Sequence, residues 1–207
     1  MAKGGPTGPP FPCSRWRAKA EQRLTPAYRG RSKFNRSVGG TATLLPVPRI
    51  EPAPLLPDGN AVTNGLLARV MRRRPDILTA FGRLDAAIRF HGQLPGSLKE
   101  AVRRATATQV GCDYCASLAQ GAEQRPPADA REALAVAFAL QVAEDPDGIT
   151  DGEFDVLREE FSDEEILELV AFICFVAIAG QMFGAVLGLE PASLEEATAY
   201  QDVIAVK

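Results

Sequence analysis

Two cysteines, Cys112 and Cys115, are separated by two residues, and Glu100 lies twelve residues before the first of them. Thiols at this spacing are within reach of a disulfide bond. Gly111 breaks the helical pattern that precedes them, so we expect both cysteines in the first turn of a new helix. Unpaired backbone N–H groups and the helix dipole favour a thiolate there. The stretch therefore predicts a redox-active dithiol, with a nearby carboxylate to handle the proton.

The cysteine pair has other interpretations. It could be inert, or it could be half of a zinc site, but a closed zinc site needs four ligands. Beyond the pair the chain offers only Cys13, Cys174 and His91, and none has the spacing of a second ligand pair. A thioredoxin-like domain would need strands around the motif, and no segment alternates with period two. We therefore expect neither a metal nor a cofactor.

Glu100 also has a purely structural interpretation. It is the fourth residue of a candidate capping box that begins at Ser97, which would place it at the start of a helix. It could equally pair with Arg103 or Arg104 one helical turn further on. These alternatives stand beside the hypothesis that Glu100 serves the thiols.

The segments Leu98–Val102 and Val110–Cys115 together resemble the alkylhydroperoxidase D / carboxymuconolactone decarboxylase family. The resemblance extends over about residues 60–189. It implies an all-α helical bundle in which Cys115 attacks a peroxide and Cys112 resolves the product. It further implies Glu100 as the base, directly or through water, and we add the Tyr114 hydroxyl as a candidate proton donor.

One position departs from the family pattern. The family's peroxidases usually carry a histidine four residues after the second cysteine, where this chain has Ala119. The expected activity is therefore a weak, peroxiredoxin-type peroxidase whose disulfide is reduced by a dithiol or lipoyl-type reductant protein. The alternative is a non-catalytic, redox-sensing or ligand-binding oligomer. The decarboxylase branch is the more distant comparison, because its chemistry does not use a C-x-x-C pair.

From Asn60 onward the sequence is helical in pattern. Apolar residues recur at helical spacing in Ile77–Ile88 and in Leu134–Val142. Several helix starts carry a Ser or Thr followed three residues later by Glu: Ser97/Glu100, Thr150/Glu153, Ser162/Glu165 and Ser193/Glu196. Asp129 is a further candidate N-cap. These patterns predict the all-α class.

The segment Leu169–Leu189 is apolar or glycine throughout, except for Gln181. Its length would suit a membrane span, but acidic residues flank it and no Lys, Arg, Trp or Tyr marks its ends. A helix that is apolar all round can also be buried in a soluble bundle or oligomer. We therefore expect no membrane insertion, and a homo-oligomer that is a trimer or a multiple of one.

Charge divides the 207-residue chain into two parts. Residues 1–50 carry a net charge of +9 and the rest of the chain carries −12. Residues 1–58 are rich in Pro and Gly without apolar periodicity, which predicts a disordered basic arm before a helical domain at 59–207. An acidic folded domain is not typical of nucleic-acid binding. The small number of cysteines favours a reducing, cytoplasmic location.

Overall fold

The computed structural model describes residues 48–119 and 127–205. These residues form helices and connecting turns and contain no strand, which confirms the predicted all-α class. The elements in chain order are α1 Leu66–Met71, α2 Pro75–Phe90, α3 Gly96–Val110, α4 Asp113–Ser117, α5 Ala130–Glu144, a 3₁₀ turn Pro146–Gly148, α6 Asp151–Leu157, α7 Asp163–Ala171, a π-helical segment Phe172–Ile178, α8 Ala179–Leu187 and α9 Leu194–Ala205.

The centre of the main core is α5, which packs against α3. Every residue from Leu134 to Gln141 is buried, so this helix is enclosed on all sides. Alanines alternate with larger side chains in this run, which lets neighbouring helices approach closely. Leu98 and Val102 of α3 pack into the same core, as does Phe138 from the predicted Leu134–Val142 stripe.

The helix formed by α7, the π-helical segment and α8 is continuous from Asp163 to Leu187. It is long and apolar enough to cross a membrane by length and composition alone. Its inner face packs on α3 and α2. Large apolar side chains on its outer face are exposed, namely Leu167, Phe175, Met182, Phe183 and Val186. Within one chain, therefore, only the inner face of this helix is buried.

The helix starts at Thr150 and Ser162 agree with the sequence. Each is a complete capping box, with Glu153 and Glu165 as the returning carboxylates. Asp129 caps α5 by accepting a 2.8 Å hydrogen bond from the backbone N–H of Glu132. These short motifs are predictable because both of their partners lie within four residues.

Two predicted capping boxes differ in the structure. The Ser97/Glu100 prediction is wrong: α3 begins at Gly96, after Pro95, without a side-chain cap. Ser193 does accept a 3.1 Å hydrogen bond from the Glu196 backbone N–H. The Glu196 carboxylate, however, accepts a 3.1 Å bond from the backbone N–H of Leu66 in α1. In both cases the glutamate carboxylate binds a residue of another helix, which is Tyr200 of α9 for Glu100 and Leu66 of α1 for Glu196.

The end of the predicted arm lies against the helices. The Arg49 backbone N–H donates a 2.9 Å hydrogen bond to the carbonyl of Leu187, and its side chain donates to Ala185 and Val186. Carbonyls at a helix C-terminus lack partners within the helix, so an external donor is stabilising there. Residues 49–58 thus differ from the disorder predicted for 1–58. Residues 1–47 lie outside the described residues, and the domain boundary stays a prediction.

A second, smaller apolar cluster joins α1, α4 and the segment before α9. Its buried members are Val70, Ala107, Cys112, Tyr114, Cys115, Leu118, Leu189 and Ala192. The two cysteines of the predicted redox pair therefore lie inside a packed apolar environment.

Candidate functional site

The cysteine pair lies at the start of α4. Gly111 ends α3 with a φ of 78°, a left-handed conformation that glycine adopts without strain. This turn lets Cys112 become the N-cap of α4 and places Cys115 in its first turn, as the sequence predicts. The two residues form a disulfide with a Cα–Cα distance of 5.2 Å. The Cys112 sulfur also accepts a 3.2 Å hydrogen bond from the backbone N–H of Cys115.

The disulfide is buried, with Cys112 only 1% exposed and Cys115 7% exposed. Cys115 is thus the more accessible of the two. Helix α8 covers the pair with Gly184. A Cβ atom at this position would lie 2.8 Å from the Cys112 sulfur and 3.5 Å from the Cys115 sulfur. The absence of a side chain at residue 184 therefore makes room for the sulfurs.

The Glu100 carboxylate is buried on α3 and bound by two other side chains. Arg103 donates two hydrogen bonds to it, of 2.7 and 2.6 Å, and the Tyr200 hydroxyl donates a third of 3.0 Å. The Nε atom of Arg104 is 3.6 Å away. Among the described residues, the hydrogen-bond partners of Glu100 do not include either cysteine sulfur. The pairing with Arg103, one of the two alternatives from the sequence, is confirmed.

Arg103 connects Glu100 to the cysteine pair. Its guanidinium donates a 2.8 Å hydrogen bond to the backbone carbonyl of Cys115. The ring of Tyr200 lies 5.0 Å from the guanidinium carbon. Burial by itself lowers the pKa of Arg103, but Tyr200 and the Glu100 carboxylate raise it above its ordinary value. The guanidinium therefore stays charged although it is almost completely buried.

Tyr200 and Arg89 complete this network. The Tyr200 hydroxyl accepts a 3.1 Å hydrogen bond from Arg89, which also forms a salt bridge of 2.8 Å with Asp85. Burial raises the pKa of Tyr200 to about 12. Sequence analysis missed both residues. No local signal marks them, because Tyr200 is one hundred residues from its partner Glu100.

Tyr114, which lies between the two cysteines in the sequence, is buried. Its hydroxyl does not face the sulfurs. It donates a hydrogen bond to the Glu196 carboxylate on α9. Burial and this negatively charged neighbour raise the pKa of Tyr114 well above its usual range. The structure thus brings Tyr114 into the apolar cluster of the cysteines, while its hydroxyl faces Glu196.

Ala119, where the family's peroxidases usually carry a histidine, and His91 lie in different parts of the structure. Ala119 follows α4 and is half-buried, and its backbone N–H bonds to Ala116. His91 ends α2 and is exposed. The His91 carbonyl accepts a 3.0 Å hydrogen bond from the buried Lys99 ammonium group. A role at the end of a helix accounts for His91.

A cavity of about 180 Å³ opens beside Glu100, near the turn between α2 and α3. Its wall includes Arg89, His91 and Lys99 as well as Glu100, and neither cysteine lines it. Lys99 forms a 2.6 Å salt bridge with Glu168, so its charge is already compensated. A small molecule in this cavity would meet Glu100 without reaching the sulfurs. Within the described residues, no group of three or more His, Cys, Asp or Glu side chains is arranged to hold a metal ion.

The described residues define an all-α protein that carries a buried C-x-x-C disulfide at the start of a short helix. No family model matches the chain, and no curated protein matches its sequence. Solved structures do match. A peroxidase-related protein of uncharacterised function from Silicibacter sp. TM1040 has 16% identity and a TM-score of 0.58, over 66% of this chain and 81% of the other.

Two further structures are similar. The alkylhydroperoxidase AhpD core, a peroxidase-related protein from Ralstonia eutropha JMP134, has 22% identity and a TM-score of 0.55, over 65% of this chain and 80% of its own. The debrominase Bmp8, solved with 2,3,4-tribromopyrrole, has 22% identity and a TM-score of 0.53, over 70% of this chain and 85% of its own. The chain therefore has the alkylhydroperoxidase D-like fold that the sequence motif implies.

Proposed function

We propose that this protein is a thiol-dependent peroxidase that works through the Cys112–Cys115 couple. The Cys115 thiolate attacks one oxygen of a peroxide, so that the O–O bond breaks and an alcohol or water leaves after protonation. Cys115 is then a sulfenic acid. The Cys112 thiol attacks this sulfur, water leaves and the disulfide forms. A dithiol or lipoyl-type reductant protein transfers two electrons to restore both thiols.

The observation that carries this proposal is the disulfide at the start of α4. The relative exposure of the two residues supports Cys115 as the attacking thiol, because Cys112 is almost completely enclosed. The Cys112 sulfur accepts a hydrogen bond from the Cys115 backbone N–H. This bond favours the thiolate form of Cys112, which suits a resolving thiol.

Glu100 and Tyr114 are the proposed auxiliary residues. Glu100 assists the ionisation of Cys115, and the support is its connection to that residue through Arg103. The Tyr114 hydroxyl would have to leave Glu196 before it could donate a proton elsewhere. With alanine at residue 119, one member of the family's proton relay is missing. Loss of general acid–base help typically costs ~10²–10⁴-fold in rate, so we expect a slow enzyme.

The exposed apolar face of the long helix supports a homo-oligomer, which we propose is a trimer or a multiple of one. Leu167, Phe175, Met182 and Val186 are separated by intervals close to whole helical turns, so they lie on one side. A contiguous exposed apolar surface of this kind is typical of an interaction site.

We further propose a cytoplasmic protein that uses no cofactor and binds neither nucleic acid nor a membrane.

An alternative is a redox sensor that forms the disulfide without turnover. Two observations favour it: Glu100 is engaged by Arg103 and Tyr200, and residue 119 carries no ionisable group. A sensor needs only a reversible disulfide, whereas a peroxidase also needs repeated proton transfer.

The test is peroxide consumption with dithiothreitol as the dithiol. We expect the wild-type protein to consume peroxide over many turnovers and Cys115→Ser to consume none. Cys174→Ala is the matched control, since Cys174 is the single reduced cysteine among the described residues, and it should retain full activity. Disulfide formation without turnover in the wild-type protein would replace the peroxidase proposal by the sensor. Full turnover in Cys115→Ser would contradict the assignment of the attacking thiol.

A further inference from the structure

Arg103 is the buried cation that directly contacts the residue of the attacking thiol. It is 4% exposed, and it reaches from α3 to the first turn of α4, where its guanidinium bonds the carbonyl of Cys115. A cation close to a cysteine lowers the pKa of the thiol because it stabilises the thiolate. Burial strengthens this effect, since screening by solvent and salt is small there.

Three contacts hold Arg103 in this position. Glu100 accepts two of its hydrogen bonds, and Tyr200 packs its ring against the guanidinium. The Gln181 side chain donates a 2.7 Å hydrogen bond to the Arg103 backbone carbonyl. Both ends of the residue are therefore fixed, and the charge cannot turn away from Cys115 without breaking these contacts.

We infer that Arg103 is the positioning residue that stabilises the Cys115 thiolate, and that Glu100 acts on the thiol by holding Arg103. This inference rests on the proposed function only for the choice of Cys115 as the attacking thiol. It gives Glu100 a role that its geometry supports, because its carboxylate accepts two hydrogen bonds from Arg103 and none of its described hydrogen bonds reaches a sulfur.

Other ionisable groups surround the cysteine pair on neighbouring elements. On α4 itself, Asp113 is exposed and Tyr114 has a raised pKa, so its hydroxyl keeps its proton in the neutral range. Helix α1 contributes Arg69, which interacts with Glu196 on α9. Helix α8 carries no acidic or basic residue.

Further ionisable groups among the described residues belong to the network of Arg103. Tyr200 on α9 keeps its proton in the neutral range, because its pKa is about 12. Arg89 on α2 is balanced by its salt bridge to Asp85. Arg104 lies beside Glu100 but is more exposed than Arg103. Arg103 is thus the charge on α3 that bonds the Cys115 backbone.

The experiment measures the ionisation of Cys115 without using peroxide. In a background of Cys13→Ser, Cys112→Ser and Cys174→Ser, Cys115 is the only thiol left in the chain. The rate of its reaction with iodoacetamide is followed against pH, and the midpoint gives the thiol pKa. We expect the midpoint of this background to lie below the ordinary value of about 8.5.

Arg103→Met should raise the midpoint by about one pH unit or more, as expected for loss of a close opposite charge. Arg103→Lys keeps the charge and should produce less than half of that shift. Arg104→Met is the matched control: it removes the neighbouring arginine, which also faces Glu100 but does not bond Cys115, and should shift the midpoint little.

Arg103→Met leaves Glu100 buried without its partner and could prevent folding, so the variant Glu100→Gln/Arg103→Met is measured as well. It removes both charges. Loss of the guanidinium that bonds Cys115 raises the midpoint and loss of the Glu100 carboxylate opposes this, so we expect an upward shift that is smaller than that of Arg103→Met. An unchanged midpoint in this double variant overturns the inference. A raised midpoint in a protein that consumes no peroxide would sustain the role of Arg103 while the proposed peroxidase fails, so the two failures are distinguishable.

Discussion

Gly184 of α8 lies directly over the sulfur of Cys112, at a distance that leaves no room for a Cβ atom. Gly180, about one helical turn earlier on α8, is in a different environment. A Cβ there would meet only Phe81, at an ordinary contact distance of 3.5 Å. The two glycines therefore form a matched pair on one helix, with one against the redox site and one away from it.

Gly184→Ala should destabilise the oxidised protein by roughly 1–3 kcal/mol, the usual range for an overpacked core. The added methyl group must displace either α8 or the disulfide, so the midpoint for disulfide reduction should also change. Thermal melts of the oxidised and reduced forms measure both effects.

The control, Gly180→Ala, should be neutral or stabilising by about 0.5–1 kcal/mol, since alanine is the better helix former. If Gly184→Ala were as stable as Gly180→Ala in the oxidised protein, the close packing of α8 on the disulfide would be contradicted.

Glu196 gives a prediction about pH. Burial raises its pKa, and the hydrogen bond from Tyr114 only partly opposes this. The folded state therefore holds the proton more tightly than the unfolded state does. The contribution of Glu196 to stability is complete below the unfolded pKa and is lost as the pH rises through the higher folded pKa.

Glu196→Gln should remove this loss, so the free energy of unfolding of the variant falls less between about pH 4 and pH 7. Urea titrations across that range measure the difference. Glu195→Gln changes an exposed neighbour and serves as the control. If the free energy of unfolding changed with pH to the same extent in wild type and Glu196→Gln, the pKa of the Glu196 carboxyl would not be raised in the folded protein.

The outer face of the long helix predicts self-association. Phe175→Glu places a charge in the middle of that face and should shift the protein from an oligomer, expected to be a trimer or a multiple of one, towards monomer. Sedimentation at micromolar concentration measures the change. Leu55→Glu, which alters an exposed apolar residue of the arm, should leave the assembly intact. A monomeric wild-type protein would contradict the prediction.

Ala119→His tests whether the missing relay residue limits the activity. Residue 119 is half-buried just after α4, so a histidine there could take part in proton transfer near Cys115. We expect faster peroxide consumption with a dithiol, by about tenfold or more. The same substitution in a Cys115→Ser protein should have no effect. An unchanged rate in the otherwise wild-type protein would mean that another step limits turnover.

The parts of the fold that could be predicted depend on local sequence. Helical periodicity identifies the all-α class, Gly111 identifies the turn before α4, and the capping boxes at Thr150 and Ser162 need only residues three positions apart. The cysteine pair is predictable for the same reason, since only two residues separate its members along the chain.

The missed parts depend on contacts between distant segments. Tyr200 binds Glu100 across one hundred residues, and Arg49 caps the end of α8 across more than that. The Ser97/Glu100 box failed because Arg103 and Tyr200 offer Glu100 better partners than the helix start does. Apolar composition likewise could not show which face of the long helix would be covered.

The most direct measurement of the central claim is the site of peroxide oxidation. Cys112→Ser and Cys115→Ser proteins are each treated with one equivalent of peroxide in the presence of dimedone, which traps a sulfenic acid, and the peptides are identified by mass spectrometry. We predict a dimedone adduct on Cys115 in Cys112→Ser and no adduct on Cys112 in Cys115→Ser. An adduct on Cys112 alone, or none in either protein, would contradict the assignment of Cys115 as the peroxide-attacking thiol.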